Sequence, residues 1–140
     1  MTVAIDKTIK HCEKLLMNGA TGCVIFGSTG QAQLISIDEK KKVIEKLADN
    51  KFKDRFILGT GLNSLNENIN LIKFALKNGI NRFLLGVPAY YRFGNSGAKN
   101  FFSNLFDKVP EIQVLLYNYE KLFGFKFDIP LVEELVKEFP

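Results

Sequence analysis

Hydroxyl side chains follow the apolar segments of this sequence, at the points where short buried strands are expected to end. In chain order they are Ser28, Thr29, Thr60, Tyr90, Tyr91 and Tyr117. Carboxylates are nearly absent from the same points, which argues against magnesium-dependent phosphoryl transfer, because that chemistry needs Asp or Glu on the metal. Hydroxyls and backbone amides instead suit a carboxylate or carbonyl substrate, with proton relay through Tyr or Ser.

Each of these segments also has a purely structural interpretation. The segments at Gly27–Gly30 and Gly59–Gly61 are typical of tight turns after a strand. Tyr90 could serve packing, and Tyr117 could be a core residue whose hydroxyl has a hydrogen-bond partner. The Walker pattern with its Gly-Lys pair and a Gly-x-Gly-x-x-Gly run are both absent, so neither phosphate-binding fingerprint is present.

The metal-binding and redox residues are few. Cys12 and Cys23 are the only cysteines, too few for a disulfide scaffold or a zinc site. We expect both to be buried apolar residues. His11 is the only histidine, and we expect it on the surface of a helix between lysines. The sequence therefore predicts no metal site and makes a histidine triad improbable.

The composition is that of a folded α/β protein. The chain has 140 residues, 46% hydrophobic and 24% charged, with a net charge of +4, which disfavours long disorder. Lys40, Lys41 and Lys42 form the only basic run, and acidic residues flank it. We interpret this run as a solvated helix face and expect no nucleic-acid partner. No membrane-length apolar run and no signal-peptide pattern is present, so we expect a cytoplasmic protein without a membrane partner.

Helical and strand-like apolar patterns alternate along the chain. The positions expected to face the core are Ile5, Ile9, Cys12 and Leu16 in the first helix, Val43, Ile44 and Leu47 in the second, Ile69, Ile72 and Leu76 in the third, and Leu131, Leu135 and Val136 in the last. Capping boxes at Ser36 and Ser64, each with Glu three residues later, predict the starts of two helices. A further helix is predicted from about Ala98 to Asp107.

Four short apolar runs lie between these helices. They are Cys23–Phe26, Phe56–Leu58, Phe83–Val87 and Val114–Tyr117. The runs are continuous rather than alternating, which predicts parallel strands covered by helices. We predict one domain over residues 1–140, built either as an open doubly wound sheet or as half of an eight-stranded (β/α) barrel. Both architectures place the chemistry at the carboxyl ends of the strands.

Taken together and in order, several segments resemble motifs of the dihydrodipicolinate synthase / N-acetylneuraminate lyase family. They are Gly27-Ser28-Thr29-Gly30-Gln31, Leu34-x-Ser36-x-x-Glu39, Gly59-Thr60-Gly61-x-Asn63, Pro88-Ala89-Tyr90-Tyr91, and Tyr117-Asn118 with Gly124. The resemblance covers the chain from Ile5 to Pro140. It implies a (β/α)8 TIM barrel, of which this chain would cover roughly strands 2–5. It also implies a lysine that forms a Schiff base with pyruvate or another 2-oxo acid.

The resemblance implies a role for each candidate site residue. Ser28 and Thr29, with the loop backbone at Gly27, would bind the substrate carboxylate. Tyr117 would be the catalytic tyrosine that transfers protons above the imine. Tyr90 would reach across a dimer contact to complete a relay in which Ser28 replaces the family's threonine. The resemblance further implies a homo-oligomer, a dimer or a tetramer, with no cofactor and no metal.

Two features depart from the family's pattern. The family's Schiff-base lysine lies on the strand after the Tyr-Asn motif, and this sequence stops at Pro140, before that strand. We therefore expect that lysine beyond Pro140, and we expect this partial barrel to be inactive alone. Synthases of the lysine pathway carry an arginine five residues after the motif tyrosine, whereas Leu122 occupies that position here.

Several functions remain open at this point. The first is a family lyase or aldolase that makes or breaks a carbon–carbon bond next to a 2-oxo acid. Leu122 is closer to N-acetylneuraminate lyases, and Tyr117-Asn118-Tyr119 is similar to 2-keto-3-deoxy-sugar-acid aldolases. Two alternatives belong to other functional classes. One is a non-catalytic half-barrel that binds a small anion or self-associates, and the other is an open-sheet protein that binds phosphate or a nucleotide.

A partial barrel is also expected to associate. Its sheet has two open edges with unpaired backbone groups. Its inner face would expose apolar side chains, which we expect to be Val24, Phe26, Leu58 and Leu115 or their neighbours. We predict that the isolated chain either closes its barrel as a dimer with a second copy or is poorly soluble.

Overall fold

Helices and strands alternate along the chain as the apolar patterns predict. The computed structural model describes residues 2–140. The helices are α1 (Ile5–Met17), α2 (Ile37–Ala48), α3 (Leu65–Lys77), α4 (Asn95–Lys108), α5 (Glu120–Phe123) and α6 (Ile129–Glu138). The strands are β1 (Cys23–Ile25), β2 (Phe56–Gly59), β3 (Arg82–Leu85) and β4 (Gln113–Leu116). None of the helices within residues 2–140 is long and apolar enough to cross a membrane.

The four strands form one parallel sheet in the order β1-β2-β3-β4. Neighbours in the sheet are also neighbours along the chain, so every crossover is made by the helix between them. The register places Val24 opposite Ile57 and Leu84 opposite Leu115. All four carboxyl ends therefore meet at one end of the sheet, where the predicted site residues follow the strands.

The helices cover only one face of the sheet. Each of α1, α2, α3, α4 and α6 contacts the next in this series, as expected of a single layer. In β1 and β3 the side chains on the helix side, such as Ile25 and Phe83, are buried, while their alternate neighbours are not. A doubly wound sheet has helices on both faces, so this arrangement is that of a (β/α) barrel segment and not of an open-sheet domain.

The uncovered face of the sheet carries a row of apolar side chains. We call it the open face and define it by Val24, Ile57, Leu84 and Leu115, of which Val24 is 42% and Leu115 is 47% exposed. The prediction that Leu58 belongs to this face is wrong, because strand alternation turns Leu58 toward the helices, where it is buried. Phe26 is also buried, so the prediction that this face exposes its side chain is wrong.

The predicted helix caps and most of the predicted core positions agree with the structure. Ser36 and Glu39 form the predicted capping box of α2, and Ser64 accepts a hydrogen bond from the Glu67 amide at the start of α3. The fully buried core includes Val43, Ile44, Leu47, Ile72, Phe83 and Phe102. Val136 is 60% exposed, so the prediction that it faces the core is wrong. It lies one residue beyond Leu135, and that step turns its side chain out of the buried stripe.

The lysine run on α2 is only partly a solvated face. Lys42 is exposed, and Lys41 is half-buried with its ammonium 5.6 Å from the centre of the Phe74 ring. Lys40 is completely buried, so the interpretation of the run as solvated is wrong at this position. The reason is helical periodicity, because residue 40 lies on the same stripe as Val43, Ile44 and Leu47.

Candidate active site

A close contact between two loops forms the floor of the candidate site. β1 ends because Phe26 adopts a left-handed backbone conformation with φ of +64°. The Phe26 carbonyl lies so near Gly59 that a side chain there would overlap it. Gly61 has φ of +62°, and a Cβ at this position would lie 2.6 Å from the Ala32 Cβ. Both glycines are therefore required for the turn at residues 59–61, here called the 59–61 turn, to pack against the loop after β1.

Two asparagine side chains hold the segments that follow β3 and β4. The Ala89 amide donates a hydrogen bond of 2.9 Å to Asn63 Oδ1, which connects the 59–61 turn to the loop after β3. The Phe127 amide donates one of 3.2 Å to Asn118 Oδ1, which holds the segment after β4. The Asn63 side chain thus joins two loops, and the Asn118 side chain restrains the segment after β4.

Ser28 and Tyr117 lie in hydrogen-bonding contact at the centre of the site. The Ser28 Oγ is 2.9 Å from the Tyr117 Oη, across 89 residues of sequence. The Tyr117 amide donates to the Leu85 carbonyl at 2.7 Å, so its backbone extends the pairing of β4 with β3. The Phe123 ring packs edge-on against the Tyr117 ring, with centroids 5.5 Å apart. Sheet pairing and ring packing together position the tyrosine hydroxyl.

The hydroxyl pair lines a cavity of about 340 Å³ at the carboxyl ends of the strands. Its polar lining includes Ser28, Thr60 and Tyr117, and its apolar lining includes Leu62 and Leu122. Gly27 lines it with its backbone. The volume suits a small organic acid. No lysine within residues 2–140 lines this cavity.

Two of the predicted site residues lie outside this cavity. Thr29 is exposed and lines a separate groove along the free edge of β1, so its side chain does not join Ser28. Tyr90 is 87% exposed, has φ of +82° and packs edge-on against Tyr91 at 5.0 Å between ring centroids. The chain by itself therefore brings together Ser28, Tyr117 and Gly27, but neither Thr29 nor Tyr90.

A buried lysine in α2, which does not line the cavity, contacts the 59–61 turn. Lys40 Nζ donates a hydrogen bond of 2.6 Å to the carbonyl oxygen of Thr60, a residue that lines the cavity. Burial lowers the pKa of Lys40 from 10.5 to about 8, and the Glu67 carboxylate opposes that shift. The sequence interpretation missed this residue, although its place on the apolar stripe of α2 was a usable signal.

The two cysteines are buried close together between α1 and β1, as expected, and both are free. Burial and a hydrogen bond of the Cys12 thiol to Cys23 raise the pKa of Cys12 to about 12. His11 is exposed, as expected. No group of three or more His, Cys, Asp or Glu side chains within residues 2–140 is arranged to hold a metal ion.

The chain matches known proteins along its whole described length. A profile of the dihydrodipicolinate synthetase family matches residues 2–140. The 4-hydroxy-tetrahydrodipicolinate synthase of Methanococcus aeolicus is 34% identical over 128 residues, which are 89% of this chain and 43% of that protein. The chain thus spans less than half the length of this curated relative.

Solved structures give the same result. The dihydrodipicolinate synthase of Agrobacterium tumefaciens is similar with a TM-score of 0.92 and 26% identity, over 99% of this chain and 50% of that one. The pyruvate complex of the dihydrodipicolinate synthase of Acinetobacter baumannii is similar with a TM-score of 0.85 and 28% identity, over 96% of this chain and 46% of that one. Loop motifs, strand order and overall similarity agree, and the chain belongs to the dihydrodipicolinate synthetase family.

Proposed function

We propose that the protein acts on a small 2-oxo acid, pyruvate or a close analogue, in a reaction that makes or breaks a carbon–carbon bond. The observation that carries this proposal is the Ser28–Tyr117 hydroxyl pair, 2.9 Å apart on the wall of a cavity of about 340 Å³. Two hydroxyls in contact share a proton and pass it on, which is what acid–base steps next to a carbonyl require. The pyruvate complex of the related synthase supports the choice of acid.

The polar and the apolar residues that line the cavity have different roles. Tyr117 is the proton-transfer group, and Ser28 is its hydrogen-bond partner and a ligand for the substrate carboxylate. The backbone from Gly27 onward adds amide donors to that carboxylate. Leu62 and Leu122 give the cavity an apolar wall beside these polar groups.

The second substrate is a separate part of the proposal. Leu122 lines the cavity at the position where the resemblance places the carboxylate-binding arginine of lysine-pathway synthases. An apolar side chain at this position offers no charge to a second carboxylate. This observation favours an N-acetylneuraminate lyase or a 2-keto-3-deoxy-sugar-acid aldolase over a synthase that condenses pyruvate with a carboxylate-bearing aldehyde.

Imine chemistry needs a lysine that reaches the cavity, and no lysine within residues 2–140 lines it. We infer that residues 1–140 bind the acid without forming a Schiff base, and that the lysine belongs to a segment outside this sequence. The alternative from another class, a non-catalytic small-anion binder, makes the same prediction for this chain. The two candidates differ in a chain that also carries such a lysine, where only the aldolase would form an imine with pyruvate.

The exposed pair Tyr90–Tyr91 supports association with a second copy. Tyr90 is 87% and Tyr91 is 69% exposed, although large aromatic side chains usually seek burial. We propose a homo-oligomer in which Tyr90 contacts the site of a neighbouring copy. The cytoplasmic location and the absence of a nucleic-acid partner stay predictions from the sequence.

Pyruvate binding to the 140-residue chain tests the proposal. We expect NMR titration with pyruvate to shift the Ser28 and Tyr117 signals, with binding weakened about tenfold by Tyr117→Phe or Ser28→Ala, since each removes a hydroxyl that contacts the acid or its partner. Tyr119→Phe is the matched control, because Tyr119 is two residues away, 41% exposed and not part of the cavity lining. Equal binding by the wild type and both site variants would contradict the proposal.

Reduction with borohydride in the presence of pyruvate tests the imine. A lysine amine and the ketone of pyruvate would lose water to form an imine, and hydride would trap it as a stable secondary amine. We expect no such adduct on residues 1–140 by intact-mass spectrometry. A stoichiometric adduct on an internal lysine would show that the chain carries its own nucleophile.

A further inference from the structure

Lys40 holds a position that packing alone does not explain. Its side chain is completely buried, and its ammonium donates one hydrogen bond, 2.6 Å long, to the Thr60 carbonyl. A buried charge is costly unless it is paired, whereas Leu or Met at this position would continue the apolar stripe of Val43 and Ile44 without that cost. A residue that breaks the local pattern in this way is a candidate for a functional role.

The bonded carbonyl belongs to a turn that is restrained on its other sides. Gly59 touches the Phe26 carbonyl, and Gly61 packs against Ala32, so the loop that carries Ser28 lies against this turn. Two residues beyond Gly61, the Asn63 side chain accepts from the Ala89 amide, which leads to the loop after β3. A shift of the Thr60 peptide is therefore transmitted to two loops at the rim of the cavity.

We propose that Lys40 is a positioning residue for the 2-oxo-acid cavity, in which its buried amine fixes the Thr60 carbonyl and through it the loops that carry Ser28 and Ala89. Lys40 itself does not line the cavity and touches no substrate. The charged group that acts on it is Glu67, in the first turn of α3. The geometric part of this proposal stands on the structure alone, and its effect on affinity rests on the proposed function.

The first experiment needs no ligand. Titration of the isotope-labelled wild-type chain between pH 6 and pH 11 follows the Thr60 carbonyl carbon and the Gly61 amide by NMR. We expect both to shift, because the titrating amine is bonded to that peptide. We expect the midpoint to lie well below the ordinary lysine pKa of 10.5, because the amine is buried. Lys40→Met should abolish this transition, and Lys42→Met, on an exposed position of the same helix, should leave it intact.

The same spectra report whether the loops depend on Lys40. In Lys40→Met we expect the amide signals of Ser28 and Ala89 to move, while those of the α4–α6 side of the sheet stay in place. If the changes stop at residues that touch Lys40 and the Ser28 and Ala89 signals are unchanged, Lys40 is only structural and the proposal is overturned.

The second experiment measures pyruvate affinity by titration in the same variants. We expect Lys40→Met to weaken binding about tenfold, the loss of one hydrogen bond to a charged donor, and Lys40→Arg to restore part of it because a guanidinium also donates. Lys42→Met should bind like the wild type. If Lys40→Met binds pyruvate as tightly as the wild type, the proposal is overturned. If neither the wild type nor any variant binds pyruvate, the proposed function fails, and the ligand-free titration still decides the role of Lys40.

Discussion

Two residues that contact the 59–61 turn have a backbone conformation or an environment that is unfavourable for their residue type. Phe26 has a left-handed backbone, which costs a non-glycine residue about 1 kcal/mol or more. Lys40 has a buried ammonium. Both contact the turn that carries Thr60 into the cavity. Such local costs persist where the surrounding structure over-determines them, and functional sites are where they concentrate.

The burial of Lys40 makes the stability of the fold depend on pH. Its pKa is about 8 in the folded chain and 10.5 in its ordinary state, so the unfolded chain binds more protons between these values. Stability therefore rises as pH increases from about 8 to 10.5, by at most roughly 3 kcal/mol. We expect urea unfolding to show this rise in the wild type and in Lys42→Met, and to lack it in Lys40→Met. Identical pH slopes for the wild type and Lys40→Met would refute the prediction.

At the scale of elements, the segments that follow β3 and β4 pack closely together because Gly86 has no side chain. A Cβ on Gly86, just after β3, would lie 2.5 Å from the Phe123 ring in α5. That ring in turn packs edge-on against Tyr117. Glycine at this position therefore lets α5 pack over the end of the sheet and support the Tyr117 ring from one side.

Gly86→Ala tests this arrangement. The added methyl group should displace the Phe123 ring, destabilise the fold by about 1–3 kcal/mol through overpacking, and move the Tyr117 ring signals in the NMR spectrum. Gly94→Ser is the matched control, since a Cβ there meets no atom within 4 Å and serine suits the N-cap position of α4 at least as well as glycine. It should leave the Tyr117 signals unchanged and alter stability by only a few tenths of a kcal/mol. Unchanged Tyr117 signals in Gly86→Ala would mean that α5 does not support the tyrosine.

At the scale of the whole molecule, the sheet is covered on one face and bare on the other. The open face shows Val24 and Leu115 at 42% and 47% exposure, and β1 and β4 each have one strand edge without a partner within residues 2–140. Helices α1 and α6 lie at the two ends of the helix layer. A second copy that closes the barrel would pair these strand edges and cover the open face.

We predict that the isolated chain is not a stable monomer of 15.8 kDa at micromolar concentration, because exposed apolar faces and free strand edges associate. Light scattering after size exclusion measures this. Leu115→Glu should reduce the associated fraction, since it places a charge on the open face. Ile129→Glu, at a position 74% exposed on α6, should not. A monodisperse monomer with a cooperative melt would contradict the prediction.

The order of elements and the types of the site residues were predictable from the sequence. Continuous apolar runs separated by helical stripes indicate parallel strands with crossover helices, and parallel strands bring their carboxyl ends together. Ser28 and Tyr117 therefore had to lie at one end of the sheet. Local chemistry also located the caps at Ser36 and Ser64, because such hydrogen bonds span only three residues.

What the sequence did not determine depends on contacts between distant segments. Only the tertiary structure decided that all helices lie on one face of the sheet, since periodicity is the same in a barrel and in a doubly wound sheet. It also decided that Lys40 reaches the Thr60 carbonyl, that Phe26 is left-handed, and that Thr29 turns away from Ser28. A residue's type and its neighbours in sequence set its conformational preference. Packing against other elements decides where the structure departs from that preference.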